Sequence, residues 1–183
     1  DDSPSMNFIE NNTTPFKKSI QSIKSLAKRL SEKNEEAFFS LYVTSNINKP
    51  IFNKILLNQD AFLKLENYLN TVNTCDAPLN ATDFLSGIKK LADQKTEPYH
   101  HILRIYSDFR DSDWSEMNLD QLKSKLESSL GVFESVSFVD SSLGKNDNLG
   151  ITNVNFSEKI IIKNVPLKIY VEVSNFSNVT QKN

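Results

Sequence analysis

Ala37-Phe38-Phe39-Ser40-Leu41-Tyr42-Val43-Thr44 is a near-continuous apolar run, rich in aromatic and branched side chains. Such a run suits a strand covered on both faces, as in a parallel sheet. The stretch before it has helical period. Thr14-Pro15 reads as a helix start, with Thr14 as N-cap and Pro15 at the first helical position. Phe16, Ile20, Ile23, Ala27 and Leu30 follow on one side, with Lys17, Lys18, Lys24 and Lys28 on others. After the run, Lys49-Pro50 breaks the chain, and Ile51 to Leu57 forms a shorter strand towards an edge.

The alternation continues. Phe62, Leu65, Leu69 and Val72 give Gln59–Val72 a helical face, and Asn73–Asn80 is a polar turn. Phe84, Leu85, Ile88 and Leu91 make a third helix after Thr82, and His101 to Tyr106 is a buried strand ending at Ser107-Asp108. Asn118 and Gln121 suggest a capping box for a helix with Leu119, Leu122, Leu126 and Leu130 inside and Gly131 at its end. Val132 to Val139 closes the series. Helices alternating with apolar strands imply an α/β fold: a doubly wound, mostly parallel sheet, right-handed crossovers and helices on both faces. Its functional loops would lie beyond the carboxyl ends of the strands.

From Asp140 the character changes. Residues 1–140 read as the α/β domain, 141–148 as a polar linker and 149–183 as part of a β-sandwich. Leu149–Phe156 resembles a strand with one irregularity. Leu167, Ile169, Val171 and Val173 alternate with polar neighbours, the pattern of a half-buried antiparallel strand.

The totals limit the function. The chain has 183 residues, 38% hydrophobic and 24% charged, a globular balance. A net charge of −2 offers no electrostatic case for nucleic acid or an anionic membrane. One cysteine, Cys75, excludes an internal disulfide framework. No apolar run approaches the roughly 20 residues of a spanning helix.

At the amino end, Asp1, Ser3 and Ser5 form an Asp-x-Ser-x-Ser run, with Thr82 and Asp108 on later loops. A small hard cation such as Mg²⁺ takes about six oxygens and keeps several waters. Hydroxyls at Ser3, Ser5 and Thr82, with carboxylates at Asp1 and Asp108, could hold Mg²⁺ or Mn²⁺ and leave a place for a partner's Glu or Asp. Alone, the pentapeptide is an ordinary polar turn, Thr82 a helix N-cap and Asp108 a turn residue. Their order and their placement on sheet-edge loops favour the site.

The runs Asp1-Asp2-Ser3-Pro4-Ser5-Met6, Thr82-Asp83 and Ile105-Tyr106-Ser107-Asp108-Phe109-Arg110 resemble the metal-ion-dependent adhesion site of von Willebrand factor A domains. DDSPSM, YSDFRDSDW and NLGITNVNF most resemble the BatA-like, aerotolerance-regulator-type membrane proteins of bacteria. The resemblance implies a non-enzymatic protein-interaction domain followed by an immunoglobulin-like region. It also implies a parent protein anchored in the inner membrane, with this part in the periplasm. Two departures stand out: Phe109 follows Asp108 where that family has Gly, and the strand that should precede Asp1 is missing. The chain therefore reads as a fragment of a longer protein.

Around this set, Asp83, Phe109, Arg110, Asp111, Asp113 and Trp114 are candidate partner contacts. Trp114 reads equally as an anchor on the core. His100-His101 point to opposite faces of a strand and do not share one ion. Two other readings stay open: a metal-independent assembly scaffold with a decayed site, and, remotely, a phosphotransfer enzyme using Asp1 as nucleophile. Against the latter, a second Asp is absent at position 3, and no Gly-rich phosphate loop, Gly-x-Ser-x-Gly elbow or Cys/His pair occurs.

Overall fold

A computed structural model describes residues 1–9, 12–33, 36–93, 100–114, 119–142, 149–156 and 168–175. The chain divides into two compact units, Asp1–Ser142 and Leu143–Asn183.

In the first unit a single 3-10 turn, Pro4–Asn7, precedes helix α1, Pro15–Ser31. Thr14 caps α1 as its sequence demands, its Oγ1 accepting from Lys17 N at 3.1 Å. Strand β1, Phe38–Leu41, pairs antiparallel with β2, Phe52–Leu56. Helices α2, Gln59–Thr71, and α3, Ala81–Asp93, follow, capped by Asn58 and Asn80. Then come β3, Ile102–Ser107, the short α4, Asp111–Trp114, helix α5, Leu119–Leu130, and β4, Ser135–Asp140. Strands β3 and β4 run parallel and in continuous register from Ile102↔Ser135 to Ser107↔Asp140, joined through α5 as a parallel pair requires.

The core explains the layering. Successive residues of a strand face opposite sides, and Ile105 and Tyr106 of β3 enter two different clusters. Tyr106 joins Ile23 and Ala27 of α1 with Leu65 and Leu69 of α2. Ile105 joins Phe84, Leu85 and Ile88 of α3, against Leu126 and Leu130 of α5. Each large apolar side chain so buried contributes about 1.5–3 kcal/mol.

The apolar run at residues 37–44 departs from its sequence reading in two ways. Its hydrogen-bonded partner is antiparallel, because only a ten-residue connection without an α-helix joins it to β2. It also stops at Leu41, and the chain turns into a 3-10 segment, Thr44–Asn46. The unit is thus a mixed helix–strand structure with one parallel and one antiparallel pair among the described residues.

The second unit contains β5, Leu149–Phe156, and β6, Ile169–Asn175, paired antiparallel. The irregularity read in β5 is a register shift between Ile151 and Asn153. Residues 157–167 and 176–183 lie outside the described residues, as do the linker residues 143–148 and the proposed cap Asn118. Among the described residues no helix is long and apolar enough to cross a membrane.

Candidate metal site

The first loop lies at the carboxyl end of β3. The Asp1 amino group donates to Tyr106 O at 2.9 Å, and Ser107 Oγ donates to Asp1 Oδ2 at 2.5 Å. Ser3 N closes a turn onto Asp1 Oδ1 at 2.9 Å. The Ser3 and Ser5 hydroxyls face each other at 3.1 Å, so the i, i+2 spacing does bring them together. Met6, fully buried, anchors the turn that carries them, with Met6 N donating to Ser3 O at 3.1 Å. Burial pulls the pKa of the Asp1 amino group down from 8.0 to about 6, against the opposing charges of Asp2, Asp108 and Cys75.

Asp108 follows Ser107 directly and carries the most informative atom in the region. Its Oδ1 is buried and accepts no hydrogen bond from the described residues. The backbone next to it is also unusual: Phe109 has φ of 46°, the left-handed region where glycine is the ordinary occupant. Two contacts hold it there. Phe109 N donates to Ser107 Oγ at 3.1 Å, and the ring packs edge-on against Phe138, 5.9 Å between centroids. Phe109 thus takes a backbone conformation that glycine ordinarily occupies, held there by its Ser107 and Phe138 contacts. Such backbone costs on the order of 1–3 kcal/mol and persists where the surroundings over-determine it.

Thr82 stands apart from this network. It is the second residue of α3, exposed, its hydroxyl without a hydrogen-bond partner among the described residues, and the cap of that helix is Asn80, whose Oδ1 accepts from Asp83 N at 2.9 Å. The N-cap role that Thr82 has in isolation is thus taken by Asn80, a stronger capping residue. Of the surrounding candidates, Asp83 and Arg110 are exposed, and Asp111 opens α4. Asp113 is partly buried, and its Oδ2, like Asp108 Oδ1, is buried without a partner. Burial pushes the Asp113 carboxyl above its usual range, helped by the Asp108 charge and opposed by Arg110 and Ser112. Trp114 packs edge-on against Phe84, 6.1 Å between centroids, which is the anchoring role open to it. His100 Nδ1 pairs with Glu134 Oε2.

Four residues that the sequence reading did not single out complete the region. Ser107 ties Asp1 to β3. Thr44 and Ser45 receive Asp2: Thr44 Oγ1 donates to Asp2 Oδ1 at 2.8 Å, Ser45 N to the same oxygen at 2.9 Å, and Ser45 Oγ to Oδ2 at 2.5 Å. Burial of Asp2 raises its pKa, but the Ser45 and Thr44 bonds and the nearby amino group outweigh this and hold it below the usual carboxylate range.

The donor set suits a hard cation. It offers carboxylate and hydroxyl oxygens, which favour Mg²⁺ or Mn²⁺ over softer ions. It also contains a buried carboxylate oxygen that no protein donor satisfies. Among the described residues no cluster of three or more His, Cys, Asp or Glu side chains could hold an ion. Any ion here would therefore rest on two carboxylates supplemented by hydroxyls. No family model matches the chain, and no curated protein matches it either.

Proposed function

We propose that this chain is a metal-ion-dependent protein-interaction module of the von Willebrand factor A type, with the doubly wound sheet that such domains have. In this reading Asp1, Ser3, Ser5 and Asp108 hold Mg²⁺ or Mn²⁺, and the unbonded hydroxyl of Thr82 supplies a further oxygen. The β5–β6 pair is then the start of an immunoglobulin-like sandwich. The parent protein would be a BatA-like bacterial membrane protein with this part in the periplasm.

The observation that carries the reading is Asp108 Oδ1, buried and unpartnered beside the residue that bonds Asp1. A buried polar atom without a partner costs about 1–3 kcal/mol, and a cation is the natural compensation for a carboxylate. When bound, the ion would act as a Lewis-acid anchor for a carboxylate presented by a partner. The protein's own share is orientation. Ser107 and the Ser3 amide fix both oxygens of Asp1, and the turn at Pro4–Asn7 holds the two serine hydroxyls together.

Calorimetric titration with Mn²⁺ tests the reading. Saturable binding is expected in the wild-type chain and none in Asp108→Ala. Identical titrations for the two proteins would overturn it.

A second reading is favoured by two features: the Thr82 hydroxyl has no hydrogen-bond partner among the described residues, and Phe109 occupies the glycine-type position. In that version the chain is an assembly scaffold that works without metal. Partner capture that is insensitive to a chelator would then be observed.

A further inference from the structure

We infer that Asp2, which lies outside the proposed ligand set, is the positioning residue of the first loop, clamping Asp1 and Ser3 in place through Thr44 and Ser45. The inference rests on the metal reading for its functional meaning and on geometry for its substance. Asp2 is 4% exposed, and every polar group it has is engaged. Its carboxylate takes the Thr44 hydroxyl, the Ser45 amide and the Ser45 hydroxyl. Its own amide donates to Thr44 Oγ1 at 3.2 Å, and its carbonyl accepts from Cys75 N at 2.7 Å. Asp2 therefore ties the first loop to the turn after β1 on one side and to the segment before α3 on the other.

The Asp2 carboxylate accepts three bonds from Thr44 and Ser45, so its part in the loop is to hold it in place. Its effect passes to its neighbours. Thr44 Oγ1 lies 3.4 Å from Asp1 Oδ1 as well as 2.8 Å from Asp2 Oδ1, so a single hydroxyl touches both carboxylates. Charge-assisted bonds to an amide and two hydroxyls are stronger and shorter than neutral ones. Residues that orient ligands in this way commonly change metal affinity by about 10- to 100-fold when removed.

The test uses Asp2→Ala, Asp2→Asn and Thr44→Val in the full chain, with Mn²⁺ as the probe. Asp2→Ala removes every carboxylate bond and is expected to weaken Mn²⁺ binding by about 10- to 100-fold. Asp2→Asn keeps an acceptor for Thr44 and the Ser45 amide and is expected to restore most of the affinity. Thr44→Val is expected to fall between the two, and it reads the clamp if Asp2→Ala does not fold. In parallel, hydrogen exchange at the Ser3 amide should lose protection in Asp2→Ala, while the Ile88 amide in α3 keeps its own. Wild-type affinity and unchanged Ser3 protection in Asp2→Ala and Thr44→Val would overturn the inference. If the wild-type chain takes up no Mn²⁺, the metal reading falls. The exchange measurement then decides the clamp by itself: lost protection supports it and retained protection overturns it.

Discussion

Asp1 and Asp2 in the first loop and Asp108 and Asp113 after β3 hold their carboxylates in opposite ways. In the first loop every carboxylate oxygen of Asp1 and Asp2 has a hydrogen-bond partner within the protein. After β3, Asp108 Oδ1 and Asp113 Oδ2 are buried with no hydrogen-bond partner among the described residues, and the Phe109 backbone between them is strained. One set is fully hydrogen-bonded within the protein. The other leaves one buried oxygen on each carboxylate without a hydrogen-bond donor among the described residues. Buried polar groups are ordinarily satisfied, so the exceptions mark where something else belongs. On the proposed reading the first loop is the pre-arranged part of the site, and Asp108 brings the oxygen that lacks a protein donor.

The largest expected effect is on the first loop. Met6→Ala should cost about 2–5 kcal/mol in chemical denaturation, because a fully buried side chain leaves a cavity under the loop. A cost well under that would mean the first loop is not packed as described. Next comes the cation. Mn²⁺ at about a hundredfold excess over its Kd should stabilise the wild-type chain by about 2.7 kcal/mol and leave Asp108→Ala unchanged, read from melting curves with and without metal. Equal stabilisation of both would place the ion elsewhere and erase the contrast between the loops. Smaller still is the pair at the start of α3. Asn80→Ala should lose about 1 kcal/mol as a missing cap, whereas Thr82→Ala should stay within about 0.5 kcal/mol because its side chain is exposed. A Thr82 variant that is stable but has weaker Mn²⁺ affinity would join that turn to the site.

The sequence disclosed those parts of the molecule whose signals are local. Thr14-Pro15 marks the start of α1 because capping needs only adjacent residues, and the irregularity of β5 shows as a break in strict alternation. Asp108 and its neighbours were legible because they end an apolar run. The role of Asp2 was not, because its partners Thr44 and Ser45 lie 42 and 43 residues away and look like any strand-end hydroxyls. Ser107 was hidden for the same reason, 106 residues from Asp1. The partner of β1 is antiparallel because hydrogen-bond direction follows from the length of the connection, and an apolar run does not by itself mean cover on both faces: Phe38 is half exposed.

The smallest effect comes from Asp113, and pH makes it separable. Burial, with Asp108 close by, raises its carboxyl in the folded chain despite Arg110 and the Ser112 hydroxyl. A raised carboxyl means that the native state binds more protons than the unfolded state between the usual carboxyl range, near 3.9, and the folded value. Stability contributed by this group is therefore fully present below the usual range and is lost as pH rises through the folded value. At neutral pH the ionised Asp113 works against folding. Asp113→Asn should then raise the melting temperature at pH 7, with the gain shrinking as the pH is lowered towards 3.5. A gain that does not change with pH would assign the effect to packing and not to charge. Repeating the comparison with Mn²⁺ sharpens it further. A cation held at Asp108 lowers the cost of the neighbouring anion, so the neutral-pH advantage of Asp113→Asn should diminish when metal is present. An advantage of the same size with and without Mn²⁺ would show that the two unpartnered oxygens do not share one field.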